Sequence, residues 1–509
     1  MNKGRKSLLN AFSAFLQIAI TGVVGIIFNK IILETFGSVY NGINATVTQI
    51  INAIMIVEGG FTLASNVALY EPWGKKDLSR INGILSATKK RFLLVGLIFF
   101  VVSGVIAFLY PLTTKTSVSY FFIVTLMFLA LLPSSYNLGV TTKNRVVLLA
   151  EQKEYIISFI SIATYLIGNV CAIIAIKYLN VSFLIVRAII MCSLFVGYIA
   201  IDIYCKKKYS FISFKEKPMY NEIKGTKSVI IMKLVSVLYV SAPVIIISMI
   251  PQSGFVLASI YTVYNSVLSA VQGGLNAIVN APRLSFGALF AEGNKKAIIE
   301  AYEKYETITF IGLSIILGTT TLVMLPFVKI YTVQVDDANY IDIILMVILI
   351  AKVFFETIHI PSGQMIQMSG DFNASKKIQS IACAILMLIL IIGFVKLDLY
   401  MVLSASLVAA IVLAFLEIIY TERKILNRSI WEFVRKVIPA SVICSICLYI
   451  GKSGLIVCDN FFELLVIGVI TIFLVSVVTI FVYYIFNRDS LKKTIDFIFR
   501  SIFMKRKER

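Results

Sequence analysis

Long hydrophobic segments, separated by short polar connections, follow one another along the whole chain. Runs of about 20 apolar residues are typical of helices that cross a lipid bilayer. The alternating segments of about 10 residues that indicate a transmembrane barrel are absent from the sequence. The pattern therefore predicts an all-α integral membrane protein with fourteen transmembrane helices, at residues 8–33, 39–70, 92–110, 119–142, 156–176, 181–204, 229–250, 255–281, 307–328, 340–360, 377–396, 400–420, 434–453 and 463–486.

The segments repeat after 220 residues. Adding 220 to Ala68-Leu69-Tyr70 gives Ala288-Leu289-Phe290, and the starts of the first six segments, shifted equally, fall within five residues of the next six starts. Because six is an even number, the two halves have the same orientation, which is a parallel repeat. We expect a six-helix bundle at 1–228, a second at 229–428, and two additional helices with a basic amphipathic tail at 429–509.

An amphipathic stretch follows the repeated segment in each half. Asp77 and Asn294 are suited to cap helices that start there, and Ile81, Leu85 and Phe92 fall on one helical face. Such a stretch is typical of a helix that lies at the inner membrane interface. A lever that couples the second and third segments is the alternative.

The positive charge of the chain is concentrated in alternate connections. Of 47 lysines and arginines, 38 lie in connections on the side of the N-terminus, 6 on the opposite side and 3 inside segments. Cytoplasmic loops carry such an excess because it fixes orientation. The distribution predicts that both termini are cytoplasmic, and it accounts for the net charge of +20 without a nucleic-acid partner.

The sequence lacks the motifs of several enzyme classes. It contains no phosphate-binding G-x-x-x-x-G-K-[ST] loop and no H-E-x-x-H zinc motif. Cys444-x-x-Cys447 lies inside an apolar segment without a second ligand pair, so we interpret it as helix packing. The outer loops reach only about 15 residues, too short for a membrane-embedded polymerase or ligase. We therefore expect no enzymatic activity, no cofactor and no metal.

Charged residues within the segments are the first candidates for a functional site, because charge inside a membrane is costly. Lys352 and Glu356 lie four positions apart on one helical face, which fits an internal ion pair or a cation site for an anionic substrate. Lys233 either lines a substrate cavity between the helices or extends its charged end to the membrane interface. The remaining candidates are Arg187 and Arg283 as cations, and Glu58, Glu356 and His359 as coupling groups; Asp202 and Glu417, near inner ends, are interpreted as interfacial.

Amide side chains form stripes on two segments. Asn265, Gln272 and Asn276 recur at helical spacing, and Gln49 and Asn52 lie on the equivalent second segment. Such stripes either join helices or line a polar cavity that binds hydroxyl-rich ligands.

Three stretches resemble a known family. The corner Ala68-Leu-Tyr-x-Pro-x-x-x-Lys-Asp and the run Val147-x-x-Ala150-Glu-Gln-Lys are similar to those of the Wzx-type polysaccharide flippases, which belong to the multidrug/oligosaccharidyl-lipid/polysaccharide (MOP) superfamily. Pro282-Arg-Leu-Ser285 is similar to a run in the related lipid II flippases. The resemblance covers essentially the whole chain. It implies a MATE-like arrangement of two six-helix bundles.

The resemblance implies a substrate and a place in the cell. An undecaprenyl-pyrophosphate-linked oligosaccharide would pass from the inner to the outer leaflet of the bacterial cytoplasmic membrane by alternating access, for capsule, O-antigen or exopolysaccharide synthesis. Membrane lipids, and the polymerase and glycosyltransferases of the same pathway, are the implied partners. A lipid II flippase and a cation-coupled drug or small-solute exporter remain alternatives, although the first predicted segment lacks the arginine and the acidic residue of those branches.

Overall fold

Helices account for almost all of the regular structure. This computed structural model describes residues 3–55, 57–223, 226–280 and 294–503, without the side chains at 3, 4, 7, 57–60, 63, 226–233, 276–280 and 497–503. Its α-helices are α1 (Lys3–Met55), α2 (Val57–Lys75), α3 (Leu78–Thr113), α4 (Tyr120–Tyr136), α5 (Thr142–Ala150), α6 (Glu154–Leu179), α7 (Phe183–Lys208), α8 (Thr226–Ile247), α9 (Gly254–Asn280), α10 (Lys295–Tyr331), α11 (Ile343–Ile358), α12 (Ile360–Met368), α13 (Phe372–Gly393), α14 (Leu399–Tyr420), α15 (Ile430–Lys452), α16 (Phe461–Phe486) and α17 (Arg488–Phe503). Two π-helical turns, Asn137–Thr141 and Thr421–Leu426, interrupt this pattern.

Twelve helices within the described ranges are long and apolar enough to cross a membrane, so the chain is a multi-pass membrane protein. The predicted count of fourteen is not confirmed by this number. One candidate span, Leu8–Met55, contains predicted segment 8–33 and the start of 39–70. Predicted segment 229–250 falls on α8, where only the shorter apolar stretch Leu234–Ile247 is identified.

A glycine marks the point where α1 changes direction. Gly37 has φ 84° and ψ 177°, which interrupts the helical geometry inside the 53 residues of α1. Only glycine adopts this region without strain, because a Cβ atom would clash with the backbone. The kink therefore separates what the hydrophobic pattern predicts as the first and second segments.

Equivalent helices in the two halves have similar lengths. The helices α3 and α10 contain 36 and 37 residues, and α5 and α12 contain nine each. Both halves also break the helix before the nine-residue piece, at Asn137–Thr141 in one and at His359 in the other. The repeat thus extends to local irregularities that hydropathy alone does not indicate.

The amphipathic stretch of the first half is buried in protein. Ile81, Leu85 and Phe92 are buried, whereas Leu78 is exposed. The stretch is continuous with α3, and the Asp77 carboxylate caps this helix by accepting a hydrogen bond from the backbone N–H of Arg80 at 3.1 Å. The expectation of a separate helix at the membrane interface is therefore wrong.

The segment after α7 covers the start of α3. The backbone N–H of Ser213 donates to the Asn82 side-chain oxygen at 3.0 Å, and that of Met219 donates to the Gly83 carbonyl at 3.0 Å. The Arg80 guanidinium also pairs with Glu222 at 3.1 Å. These contacts hold the segment between Ser213 and Glu222 against the start of α3.

The second half repeats this arrangement at the start of α10. Asn294 caps the helix by accepting from the Ala297 N–H at 3.2 Å. Ile298, Tyr302 and Tyr305 are buried in a cluster with Met365 and Leu426. Both caps that the sequence predicts are present, and both amphipathic faces pack against protein.

The chain divides into two compact units, Met1–Ile260 and Tyr261–Arg509. Helix α8 belongs to the first unit, where Tyr110 and Ser248 share a hydrogen bond of 2.7 Å. The sequence repeat predicts a different division, at 1–228, 229–428 and 429–509. It is based on the repeat and not on compactness, and it stays a prediction.

Candidate functional site

Arg187 is the buried cation of the first unit. It lies on α7, one turn after the Ser182 N-cap, and only 7% of the residue is exposed. Its Nε atom is buried and has no hydrogen-bond partner among the described residues. Tyr165, on α6, lies close enough to interact with it electrostatically. A guanidinium with an unused N–H donor in a buried position is suited to an anionic ligand.

Amides of the first unit form hydrogen bonds between helices. Gln49 accepts from the Ser241 hydroxyl at 3.1 Å, which joins α1 to α8. Asn41 donates to Ser259 at 2.8 Å, which joins α1 to α9. Asn52, on the same helix, is exposed. Of the two functions considered for this stripe, helix association accounts for Gln49, whereas Asn52 remains accessible.

Three predicted site residues meet in the second unit. Lys352 and Glu356, on α11, form an ion pair of 3.2 Å between Nζ and Oε1. The Gln272 amide, on α9, donates to the other carboxylate oxygen of Glu356 at 2.8 Å. The Lys352 and Glu356 side chains are 14% and 16% exposed. The pair is thus partly buried and electrically compensated, as the internal ion pair requires.

Helix α9 presents further polar groups near this pair. The Tyr261 hydroxyl donates to the Asn265 side-chain oxygen at 3.4 Å. Tyr261 is also close enough to Lys352 and Glu356 to interact with both electrostatically. Asn265 and Gln272 therefore lie on the α9 side of one polar cluster, which the sequence suggested only as a stripe on a single helix.

His359 does not join this cluster. Its Nδ1 atom lies 2.8 Å from Oε2 of Glu417, on α14. Glu417 is 2% exposed, so its interpretation as an interfacial residue is wrong. Gly363 provides the space: a Cβ atom at this position would lie 2.3 Å from the same carboxylate oxygen.

Asp202 is likewise more than an interfacial charge. Its carboxylate accepts hydrogen bonds from Tyr136 at 3.0 Å, Thr141 at 3.0 Å and Asn144 at 2.7 Å. These donors surround the first π-helical turn, which separates α4 from α5. Asp202, on α7, therefore anchors this turn to α7.

The sequence did not indicate a buried charge network in the second unit. Arg428 donates from Nη2 to both carboxylate oxygens of Glu306, at 2.8 and 2.7 Å, and also binds Glu422. Lys436 donates to Glu306 at 2.9 Å. Glu306 and Glu422 are fully buried. Glu306, Glu422 and Arg428 fall between the predicted segments, and Lys436 lies at the start of predicted segment 434–453. The Glu303-x-x-Glu306 spacing at the start of α10 is a sequence signal for a shared face.

The structure does not describe the side chains of four predicted site residues. Arg283 lies outside the described residues. The helices that carry Glu58, Lys233 and Asn276 are described, but the side chains of these three lie outside the description. Their assignments stay predictions.

Comparison with known sequences and comparison with known structures give different results for this chain. No family model matches the sequence, and no curated protein does. Structure comparison, in contrast, finds the lipid II flippase MurJ in an inward closed conformation, with a TM-score of 0.69 and 12% identity, covering 94% of this chain and 99% of that one.

Multidrug transporters share the fold as well. A MATE family transporter of the MOP superfamily in an inward-facing conformation has a TM-score of 0.56 and 13% identity over 84% of this chain and 96% of its own. A eukaryotic MATE transporter, AtDTX14, has a TM-score of 0.57 and 12% identity over 86% of this chain and 99% of its own. The chain therefore has the fold of the MurJ and MATE transporters of the MOP superfamily.

Proposed function

We propose that this protein moves a polyprenyl-pyrophosphate-linked oligosaccharide from the inner to the outer leaflet of the bacterial cytoplasmic membrane. Undecaprenyl pyrophosphate is the carrier that the sequence resemblance implies, and alternating access is the mechanism. The product would be a repeat unit for a surface polysaccharide, and the polymerase and glycosyltransferases of that pathway would be its functional partners. Both termini face the cytoplasm in this proposal.

The fold similarity to MurJ is the observation that carries the proposal. It extends over more of the chain and has a higher TM-score than the similarity to the two MATE transporters. MurJ is a lipid II flippase by its description, so a lipid-linked substrate is the simplest extension to this chain. The Wzx-like corner after Ala68 favours an oligosaccharide over lipid II.

Arg187 supplies the chemistry for the pyrophosphate. Its Nε donor has no partner among the described residues, and it is buried, where an interaction with phosphate is weakly screened by solvent. The planar guanidinium can bind two phosphate oxygens at once. Lys352 is less suited, because Glu356 already neutralises it. We therefore assign the main anion contact to Arg187 and the sugar contacts to amides such as Asn52.

The test is a flipping assay with purified protein in vesicles. A fluorescent polyprenyl-pyrophosphate oligosaccharide is supplied in one leaflet, and its appearance in the other is measured by chemical quenching. We expect Arg187→Ala to slow flipping at least tenfold, and Arg187→Lys to retain an intermediate rate because it keeps the charge but loses the two-pronged geometry.

Lys177→Ala is the matched control. Lys177 is an exposed cation of the same unit, near the end of α6, so its loss removes one charge without touching a buried position. Equal rates for wild type and Arg187→Ala would refute the anion site. Parallel arms with lipid II and with a cationic drug identify the substrate class, and transport of the drug alone would favour the exporter alternative.

Coupling to protons is a second proposal, supported by the partly buried carboxylate Glu356 and the His359–Glu417 pair. If these groups carry protons, transport changes with pH and the dependence disappears in Glu356→Gln or His359→Ala. The measurement is the flipping rate across imposed pH gradients. An unaltered pH profile in both variants would leave these residues structural.

A further inference from the structure

A cavity of about 560 Å³ lies in the first unit, away from the residues assigned to transport. It is bounded by α4, α5 and the end of α7, and the segment from Tyr209 to Phe214 closes one side. Its volume is in the range of small-molecule binding sites, which span about 300–1,000 Å³. Neither Arg187 nor any predicted amide lines it.

Positive charge in the lining of this cavity exceeds negative charge. Lys143 is half-buried in the lining and forms no ion pair or hydrogen bond with the part of the chain that the structure describes. Lys206 is a second, exposed cation of the lining. Lys89 lies close enough to Lys143 to repel it electrostatically, and Asp202 lies close enough to attract it. The arrangement therefore favours an anion.

The one carboxylate of the lining is already engaged. Asp202 accepts the three hydrogen bonds from Tyr136, Thr141 and Asn144 described above, and no ion pair joins it to Lys143 or Lys206 among the described residues. The single negative charge of Asp202 is shared among these donors and attracts Lys143 without a direct ion pair, so it offsets only part of the charge of the two lysines.

Aromatic rings form the apolar part of the lining. Tyr136, Tyr209 and Phe214 line the cavity, and the Lys143 ammonium lies 5.2 Å from the centre of the Phe214 ring. Tyr209 is held in place by its hydrogen bond to Glu151. A ligand for this site therefore combines an anionic group with an apolar body.

We propose that this cavity binds the phosphate-bearing head group of an acidic phospholipid, with Lys143 and Lys206 as its cationic contacts. The cavity lies at the ends of membrane helices α5 and α7, beside the Lys206-Lys207-Lys208 run that follows the apolar part of α7. Basic pockets at this level of a membrane protein are suited to anionic lipid head groups. A soluble phosphoester offers the same phosphate chemistry but lacks the acyl chains.

Native mass spectrometry of the full chain in detergent tests the proposal. The probes are dioctanoyl-phosphatidylglycerol, dioctanoyl-phosphatidylcholine and glycerol 1-phosphate. Wild-type protein should bind one phosphatidylglycerol at least tenfold more tightly than phosphatidylcholine. The double variant Lys143→Gln/Lys206→Gln should lose this preference.

Lys207→Gln/Lys208→Gln is the matched control, because it removes the same charge from two exposed neighbours outside the lining. It should keep the phosphatidylglycerol adduct. Equal loss in both double variants would overturn the proposal, since binding would then follow net charge alone. Equal binding of the two phospholipids would overturn it as well.

Ser210→Trp provides a test that leaves every lysine in place. Ser210 is an exposed residue of the lining, so a large side chain there fills the cavity without disturbing the core. It should abolish the adduct, and an unchanged adduct would contradict the site. Binding of glycerol 1-phosphate as tightly as the lipid would support the phosphate site and overturn the lipid as its source. These readouts concern binding, so they are independent of the proposed transport activity.

Discussion

Arg187 and Lys352, two cations within membrane segments, differ in what surrounds them. Lys352 has Glu356 within 3.2 Å, whereas the Nε atom of Arg187 has no partner among the described residues. A charge in a membrane segment is stable only if a partner, a cavity or water compensates it. Lys352 is compensated within its own helix, so Arg187 is the stronger candidate for the proposed contact with an anionic ligand.

We predict that removing one member of the Lys352–Glu356 pair destabilises the fold far more than removing both. Glu356→Gln should lower the free energy of unfolding by about 3 kcal/mol, because it removes the carboxylate that pairs with a partly buried ammonium. Lys352→Met/Glu356→Gln should recover most of this loss. Thermal unfolding in detergent measures both.

The exposed pair Glu71–Lys75 is the control, because it has the same four-residue spacing and a distance of 2.7 Å. Its side chains are 59% and 68% exposed, so Glu71→Gln should change the free energy of unfolding far less than Glu356→Gln does, because solvent screens an exposed pair. Equal effects at the two sites would show that burial does not control the energy of the pair.

At this scale the sequence predicts local pairs and misses distant ones. The Lys352–Glu356 pair follows from helical spacing alone. Glu417 and His359 are 58 positions apart, and Glu306 and Lys436 are 130 apart, so their contacts depend on tertiary packing. Residues assigned to polar connections by hydropathy thus become buried once neighbouring helices extend past the membrane segments.

Helix boundaries are the main difference between prediction and structure at the scale of elements. Hydropathy identifies the apolar part of α3 and of α10, but each helix starts some 12 to 14 residues earlier, at Leu78 and Lys295. The N-caps Asp77 and Asn294 mark the true starts, and both were recognisable from sequence. The apolar run of a helix indicates the length that faces lipid, whereas its N-cap residue indicates where the backbone becomes helical.

Gly37 offers a test of the kink in α1. Gly37→Ala should lower the free energy of unfolding by about 1–3 kcal/mol, because a residue with a Cβ atom is strained at φ 84° and ψ 177°. Gly22→Ala, in the same helix, should be neutral or stabilising, since nothing lies within 4 Å of an added Cβ atom. Thermal unfolding measures the stability of both variants. Equal shifts in their unfolding temperatures would contradict the assigned geometry at Gly37.

For the whole molecule, the spacing of segments carries more information than residue identity. Sequence searches find no match, yet the chain superimposes on MurJ over 94% of its length at 12% identity. Because fold depends mainly on where apolar helices begin and end, it survives extensive substitution. The proposed transport site is less predictable, since it depends on which few polar groups remain without partners.

Membrane orientation can be tested directly. We predict that Lys76→Cys and Lys296→Cys, both at exposed positions, react with an impermeant maleimide only from the cytoplasmic side. The protein background must lack its seven native cysteines, of which Cys171 and Cys192 are exposed. Labelling of the two positions from opposite sides would refute the parallel repeat and the assignment of charge to cytoplasmic connections.

The network around Glu306 has a consequence for biogenesis. Glu306 is made with α10, but Arg428 and Lys436 emerge from the ribosome more than 120 residues later. Until then its carboxylate lacks both cations, and a carboxylate without a partner is costly to bury. Arg428, just before α15, and Lys436, within α15, therefore both contribute to the burial of Glu306 in α10. We expect a chain that ends before Arg428 to fold less stably, because Glu306 then has neither cation as a partner.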